Sequence, residues 1–158
     1  MKNMYIEFFG QVPLYLGMGI KIVTSLFLGA LIGIDREQKM KSAGIKTNIL
    51  ICIGAAVYTA ISTLTIDQGV GSVDPNRTAA QIVSGIGFLG DGAIIQGRGG
   101  VIGLTTAATI WVVAAIGMTV GFGYPVVAVI TTVTILVVLR LVDPIYKFLE
   151  SERNYKRY

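Results

Sequence analysis

One acidic residue, Asp91, stands in an otherwise uncharged apolar stretch near the middle of the chain. Ionisable groups are costly in apolar surroundings unless they are neutralised, hydrated or paired, so Asp91 is a candidate cation or proton site. Gln81 and Ser84 precede it at helical spacing and could add oxygen ligands. Such a ligand set suits Mg²⁺, although the pattern does not choose between Mg²⁺, another cation and a proton. The structural alternative is an ion pair with Arg140 or Arg36, or a protonated carboxyl bonded to a backbone carbonyl.

The stretch RTAAQIVSGIGFLGDGAIIQ (77–96) has the periodicity of a helix. At 100° per residue, Arg77, Gln81, Ser84 and Asp91 fall on one polar stripe. Glycine costs about 1 kcal/mol relative to alanine in an aqueous helix, but it lets membrane helices approach closely. We therefore predict a membrane-crossing helix inside a bundle, with its polar side turned to protein or water. A span over 79–96 would place Asp91 about 5 Å to the cytoplasmic side of the bilayer centre. The glycines that border the stripe are Gly85, Gly87 and Gly92.

Charged residues at two other places are candidates for function. Asp35, Arg36 and Glu37 follow the first apolar run and could be solvated charges at a helix end, or a charged cluster beneath Asp91. Arg77 could anchor its helix in the lipid headgroups or act together with the polar stripe.

A threonine cluster and the single tryptophan lie together in a later apolar run. Thr105, Thr106 and Thr109 can each bond a backbone carbonyl one turn back, which is the ordinary role of threonine in a helix. Trp111 is predicted to be a packing residue, because it lies mid-span and away from the interfacial belt.

The chain offers no nucleophile–base pair. It contains no histidine, and its single cysteine, Cys52, lies in an apolar run where a thiol behaves as a small hydrophobe. The glycine-rich residues 97–100 lack the lysine and the strand–loop–helix setting of a P-loop. We predict that the protein is not an enzyme and has no certain cofactor, with Mg²⁺ as the candidate ligand.

Composition places the chain in the membrane. Of its 158 residues, 53% are hydrophobic and 14% are charged, whereas an average soluble domain is about 25% charged. We predict an all-α, polytopic membrane helix bundle of about five transmembrane helices in residues 1–142, followed by a short cytoplasmic, amphipathic, basic tail at 143–158. The predicted spans are 14–34, 47–66, 79–96, 104–121 and 123–142.

Small residues and one lysine indicate how these spans pack. Gly29 and Gly33 form one G-x-x-x-G pair, and Gly117 and Gly121 form another, so both pairs predict close helix contacts. Lys21 interrupts the first span, and we expect it to snorkel outward or to pair within the bundle.

Lysine and arginine are distributed unevenly between the two sides that five spans define. One side holds ten: four in residues 35–46, Arg98, and five from Arg140 to the end; the other side holds Lys2 and Arg77. The positive-inside rule then places the N-terminus outside and the C-terminus in the cytoplasm. The basic residues would face anionic lipid headgroups, so we expect no nucleic-acid partner.

Four sequence blocks together carry a family resemblance. They are GALIGIDRE (29–37), AGIKT (43–47), DPNRTAAQIVSGIGFLG (74–90) and GLTTAATIWVVAAIG (103–117). With these blocks in this order, the chain resembles the MgtC/SapB family of bacterial inner-membrane proteins. The residues that match motif positions are Arg36, Arg77, Gln81, Gly85, Gly90, Thr105, Thr106 and Trp111.

The resemblance implies a multi-span domain of the bacterial inner membrane that is a homodimer and is linked to Mg²⁺ homeostasis. It also implies action by binding other membrane proteins, ATP synthase in the best-known case, rather than by transport. Two departures matter. Relatives with a role in virulence carry an additional soluble C-terminal domain, so we interpret this chain as a short form. The family commonly has GFLGAG where this chain has GFLGDG (87–92), so Asp91 is not a residue carried over from the family.

Two functions follow as hypotheses. The first is a non-catalytic protein of Mg²⁺ homeostasis that binds or regulates other membrane proteins. The second is a Mg²⁺ or proton transporter with its acidic site at Asp91, which a polar helix interrupted by glycine favours. The lack of an inverted repeat and the small number of spans argue against transport.

Overall fold

The fold is an α-helical bundle with two short β-hairpins. A computed structural model describes residues 3–7, 10–67, 74–97 and 100–155. Side chains are described in these ranges except at 3, 65–67, 75 and 143–155. The helices are α1 (Leu14–Gln38), α2 (Ile45–Asp67), α3 (Pro75–Gly92), α4 (Leu104–Phe122) and α5 (Pro125–Tyr155). The strands β1 (Asn3–Ile6) and β2 (Gly10–Pro13) pair antiparallel, as do β3 (Ile95–Gly97) and β4 (Gly100–Ile102).

Four of the helices described are long and apolar enough to cross a membrane. They are α1, α2 to Leu64, α4, and α5 to Val142. The predicted all-α membrane bundle is confirmed. By its own hydropathy α3 is not among these four, because glycine, serine, glutamine and aspartate dilute its apolar residues. A fifth span is therefore still a prediction.

The first G-x-x-x-G pair packs α1 directly against α2. A Cβ atom added to Gly29 would lie 2.8 Å from the carbonyl oxygen of Asn48, and one added to Gly33 would lie 2.6 Å from Cα of Ile45. Both approaches are too close for any residue other than glycine. The predicted contact is confirmed, and these pairs show that α1 and α2 are antiparallel.

The second pair packs α4 against α2, and Cys52 of α2 is close to both Gly29 and Gly117. A Cβ atom on Gly117 would overlap the carbonyl oxygen of Cys52, and one on Gly121 would lie 2.6 Å from that of Ala56. Gly117 lies against Cys52 and Gly121 lies against Ala56, so residue numbers increase in the same direction along both helices. Helices α2 and α4 are therefore parallel. Helices α1 and α4 thus both pack through glycines against one face of α2, and the buried core lies along this face.

Helix α3 must connect opposite ends of the bundle. Because α2 and α4 are parallel, the end of α2 and the start of α4 lie at opposite ends, and Gly90 near the end of α3 contacts Ala107 near the start of α4. The 18 residues of α3 span about 27 Å at 1.5 Å per residue, close to the hydrocarbon thickness of a bilayer. This connectivity supports the prediction of a fifth crossing.

Helix α3 was predicted to lie inside the bundle, and this prediction is wrong: within one chain the helix lies at the periphery. Helix α3 packs at the side, against α2 and α4, through Ile82, Ile86 and Gly90. Added Cβ atoms on Gly85, Gly87 or Gly92 would meet nothing within 4 Å.

Several element boundaries differ from the predictions. Helix α3 begins at Pro75 instead of 79, because Asp74 caps it by accepting from the N–H of Asn76 (2.9 Å), and it ends at Gly92 instead of 96. Strands β3 and β4 pair near the end of α3, and strands β1 and β2 pair before α1. Both hairpins were missed because their strands have only three or four residues.

The helix of the predicted fifth span, 123–142, continues into the predicted tail. Helix α5 runs continuously from Pro125 to Tyr155 and includes both residues. A proline within a helix removes one backbone hydrogen bond but does not always end the helix. Residues 156–158 of the predicted tail lie outside the described residues.

Candidate functional site

Asp35 lies at the centre of a buried ionic contact at the end of α1. Its Oδ1 accepts from Nε of Arg140 on α5 over 3.1 Å, and its Oδ2 lies 3.6 Å from Nζ of Lys39. The carboxylate is buried, and Lys39 also donates to the carbonyl oxygen of Leu139. The structure therefore pairs Arg140 with Asp35 and not with Asp91. Of the two predictions for Asp35, a solvated charge is wrong.

Glu37, in contrast, is exposed and holds the loop that follows α1. Its Oε2 accepts from the N–H of Ile45, the first residue of α2, over 2.9 Å. A negative charge at a helix N-terminus is stabilising. The amide of Asn48 donates to the carbonyls of Ala43 and Gly44, both over 2.8 Å. The AGIKT block thus fixes the turn between α1 and α2.

Three of the predicted functional residues meet at one cavity. Arg36, Thr105 and Thr106 line a space of about 510 Å³ between the end of α1, the β3–β4 hairpin and the start of α4. Arg36 is only 2% exposed, and Lys41 from the loop after α1 lines the same space. We call this space the Arg36 cavity. Each of the three residues could be singled out from the sequence, whereas their place at one cavity depends on α1 and α4 being antiparallel.

Thr106 differs from the other threonines of the bundle. Thr109, one turn further along, donates from its hydroxyl to the carbonyl of Thr105 over 2.7 Å, as expected. Thr106 is 4% exposed, and no described residue hydrogen-bonds its hydroxyl. It lies in the first turn of α4, where no helical carbonyl stands one turn behind it. Thr106 therefore lines the Arg36 cavity, and its hydroxyl has no hydrogen bond to another described residue.

The residues proposed as metal ligands lie apart from that cavity. Gln81, Ser84 and Asp91 are exposed on α3. Asp91 is the last residue but one of α3, about 11 Å along the axis from the helix midpoint. This distance is larger than the predicted value of about 5 Å, because the helix begins and ends four residues earlier than expected. Within the described ranges, no three acidic, histidine or cysteine side chains group together as metal ligands.

Gln81 does line an apolar groove between α2 and α3. This groove has a volume of about 510 Å³ and includes Gly54, Tyr58, Gly85 and Leu89. Because Gly54 and Gly85 have no side chains, the groove is shallow at these positions, and it is open to the surface of the bundle. The remaining candidates are also exposed: Arg77 in the first turn of α3, and Trp111, whose side chain points out of α4.

Lys21 makes a contact within the bundle instead of snorkelling. It is 4% exposed, and its Nζ donates to the carbonyl oxygen of Gly121 over 2.7 Å. This bond links the start of α1 to the end of α4. Of the two expectations for Lys21, pairing within the bundle is confirmed.

Comparison with known proteins agrees with these motifs. The model of the MgtC family matches residues 22–148. The chain belongs to the MgtC family. No solved structure matches it.

Two of the curated relatives are named protein MgtC, and a third is named YhiD. Protein MgtC of Brucella abortus (strain 2308) is 44% identical over 128 residues, covering 81% of this chain and 52% of the relative. Protein MgtC of Salmonella typhimurium (strain 14028s / SGSC 2262) is 44% identical over 117 residues, covering 74% and 48%. YhiD of Escherichia coli (strain K12), whose name gives magnesium transport as a provisional role, is 37% identical over 142 residues, covering 86% and 65%. The chain thus spans between about half and two thirds of these relatives, and it is a membrane protein of the MgtC family.

Proposed function

We propose that this protein is a non-catalytic component of Mg²⁺ homeostasis in the bacterial inner membrane, and that it acts by binding another membrane protein. The link to magnesium is supported by the name of the Escherichia coli relative YhiD. The observation that carries the binding role is the exposure of the polar stripe on α3.

The stripe is in an unfavourable position if the chain stands alone in a bilayer. Gln81, Ser84 and Asp91 point away from the bundle on a helix that connects its two ends. Polar groups that face hydrocarbon are costly, and membrane helices usually turn them toward protein or water. A helix of a partner protein laid along α3 would cover them.

The glycines on α3 would let a partner helix approach the α3 backbone closely. Nothing lies within 4 Å of a Cβ placed on Gly85, Gly87 or Gly92, so a partner helix could approach the backbone there. Small residues on one helix face are the common basis of tight association in membranes. The open groove beside Gly85 and Gly54 adds apolar surface to the same side.

The charges on the stripe favour a different protein over a second copy. Copies of one membrane protein share one orientation, so a two-fold contact along α3 would bring Asp91 near Asp91 and Arg77 near Arg77. Like charges in close contact are destabilising. A partner helix with a basic group opposite Asp91 would avoid this repulsion. The predicted homodimer, if it forms, is therefore expected to use another face.

Site-specific photocrosslinking in intact membranes tests this proposal. A photoreactive residue at Ser84 should crosslink to a distinct membrane protein, whereas one at Val133, exposed on α5, provides the matched control. The partner should have a basic residue in the crosslinked helix, and Asp91→Asn should lower the yield. Equal crosslinking from both positions, or crosslinks only between copies of this chain, would contradict the proposal.

The alternative, a cation or proton transporter, has less support. Asp91 lies near the end of α3, and the described residues contain no group of three or more acidic, histidine or cysteine side chains that could hold a metal ion. Flux of Mg²⁺ or protons through purified protein in liposomes, abolished by Asp91→Asn, would favour transport over partner binding.

A further inference from the structure

A pocket of about 320 Å³ lies beside Lys21, at the end of the bundle opposite the Arg36 cavity. It is lined by the β1–β2 hairpin, the first part of α1 and the ends of α2 and α4. We call it the Lys21 pocket, and we propose that it binds a small carboxylate with an apolar body. No described residue of α3 lines it, so the proposal does not depend on the partner surface.

Lys21 is a buried cation with one hydrogen bond. It is 4% exposed, and an ammonium group has three N–H donors. One donor reaches the carbonyl oxygen of Gly121 over 2.7 Å, and no carboxylate in the described ranges forms an ion pair with Lys21. Glu7, the acidic residue that follows β1, is exposed and does not line the pocket. Because a buried ammonium without a counter-ion is costly, the remaining donors favour an anion in the pocket.

Two neutral polar side chains border the same space. Gln11 of β2 is exposed, and its carboxamide can donate an N–H to an anion in the pocket. The hydroxyl of Thr63 already donates to the carbonyl of Ala60 over 2.8 Å, so it is not a donor for an anion. The pocket thus offers one cation and one amide, which suits the single charge of a carboxylate better than the double charge of a phosphate.

Most of the remaining wall is apolar. Met4 is 3% exposed and lines the pocket together with Leu64 and Phe122. These side chains would pack against a hydrocarbon body while the carboxylate binds Lys21, as in ligand pockets where a few polar groups fix the orientation. The volume is near the lower end of the usual range for such pockets, so it suits a short aliphatic acid.

The hairpin that borders the pocket is fixed to the bundle. The N–H of Glu7 donates to the carbonyl of Gly123 over 2.9 Å. The ring of Tyr5 packs edge-on against that of Tyr124, with centroids 6.2 Å apart. A Cβ atom on Gly123 would lie 2.5 Å from the carbonyl oxygen of Tyr5, so β1 lies directly on the turn between α4 and α5. These contacts hold the hairpin side of the pocket in place, which lowers the entropy cost of binding a ligand.

Hexanoate and hexanamide test the proposal on the purified full chain. The two have the same hydrocarbon body and differ in charge, and calorimetric titration measures the affinity of each. We expect hexanoate to bind about tenfold more tightly, since a hydrogen bond between charged groups is stronger than one to a neutral acceptor. Equal affinity of the two, or no binding of hexanoate, would overturn the proposal.

Matched variants locate the site. Lys21→Met removes the cation and should lower the hexanoate affinity about tenfold, and Gln11→Ala should lower it about twofold to tenfold. Their controls are Lys46→Met and Gln81→Ala, which change exposed residues outside the pocket. If a control weakens binding as much as its pocket variant, the anion binds elsewhere and the proposal fails. Because Gln11 is exposed, its variant and the comparison of the two ligands keep the test valid even if Lys21→Met fails to fold.

Discussion

Arg140 on α5 donates from Nε to Oδ1 of Asp35 on α1 over 3.1 Å, across 105 positions of sequence. The carboxylate side chain is 3% exposed and the arginine 62% exposed. Among the described residues, Asp35 has one other ion pair, with Lys39. It ties the outermost apolar helix to the centre of the bundle.

We therefore expect Arg140→Gln to destabilise the protein by about 1–2 kcal/mol, because a buried carboxylate loses one of its two cations. The exposure of Arg140 and the remaining Lys39 keep the loss below that of a fully buried pair. Thermal unfolding in detergent measures it. In a double-mutant cycle with Asp35→Asn, the two losses should be less than additive. Additive losses would mean that the pair does not couple α1 to α5, and Arg77→Gln is the control for the loss of an exposed arginine.

Gly117→Ala is expected to destabilise the α2–α4 contact by about 1–3 kcal/mol, since its methyl group would overlap the carbonyl of Cys52. Gly19→Ala is the matched control, because an added Cβ there meets nothing within 4 Å. Denaturant titration of both variants checks the difference. Similar stability of the two would show that α2 and α4 are not packed as closely as described.

Lys21→Met is expected to lower stability by about 1–3 kcal/mol, because it removes the donor to the Gly121 carbonyl while keeping an unbranched side chain of similar length. Lys46→Met, at an exposed position of α2, should change stability little. The thermal midpoint of each detergent-solubilised variant is the measurement. An unchanged midpoint for Lys21→Met would mean that Lys21 reaches the headgroups instead.

Asp91→Leu separates the partner surface from the fold. Since Asp91 is exposed and makes no described side-chain contact, the thermal midpoint should stay close to that of the parent protein. Crosslinking from Ser84 to the partner should nevertheless fall, together with growth in low Mg²⁺ if that partner carries the function. A large drop in the midpoint would show that Asp91 stabilises the bundle itself.

Much of this architecture could be predicted from the sequence. The apolar runs fixed the helices, since hydrocarbon requires every backbone group to be bonded within its own segment. The two G-x-x-x-G pairs predicted where helices touch, because glycine spacing defines a face of one helix without reference to its partner. The sequence did not predict the early start of α3, which the Asp74 cap sets.

The site depended on tertiary structure. Asp35 and Asp91 are similar in sequence terms, as acids beside apolar runs, yet one is buried between cations and the other is exposed. Local sequence cannot distinguish them, because burial depends on which helices pack against each residue. Arg36 and Thr106 are 70 positions apart and line one cavity because α1 ends where α4 begins, at the same end of the bundle. The sequence alone determined that helices form and which of their faces are small or polar; the order of packing around α2 decided which polar groups share a cavity and which face outward.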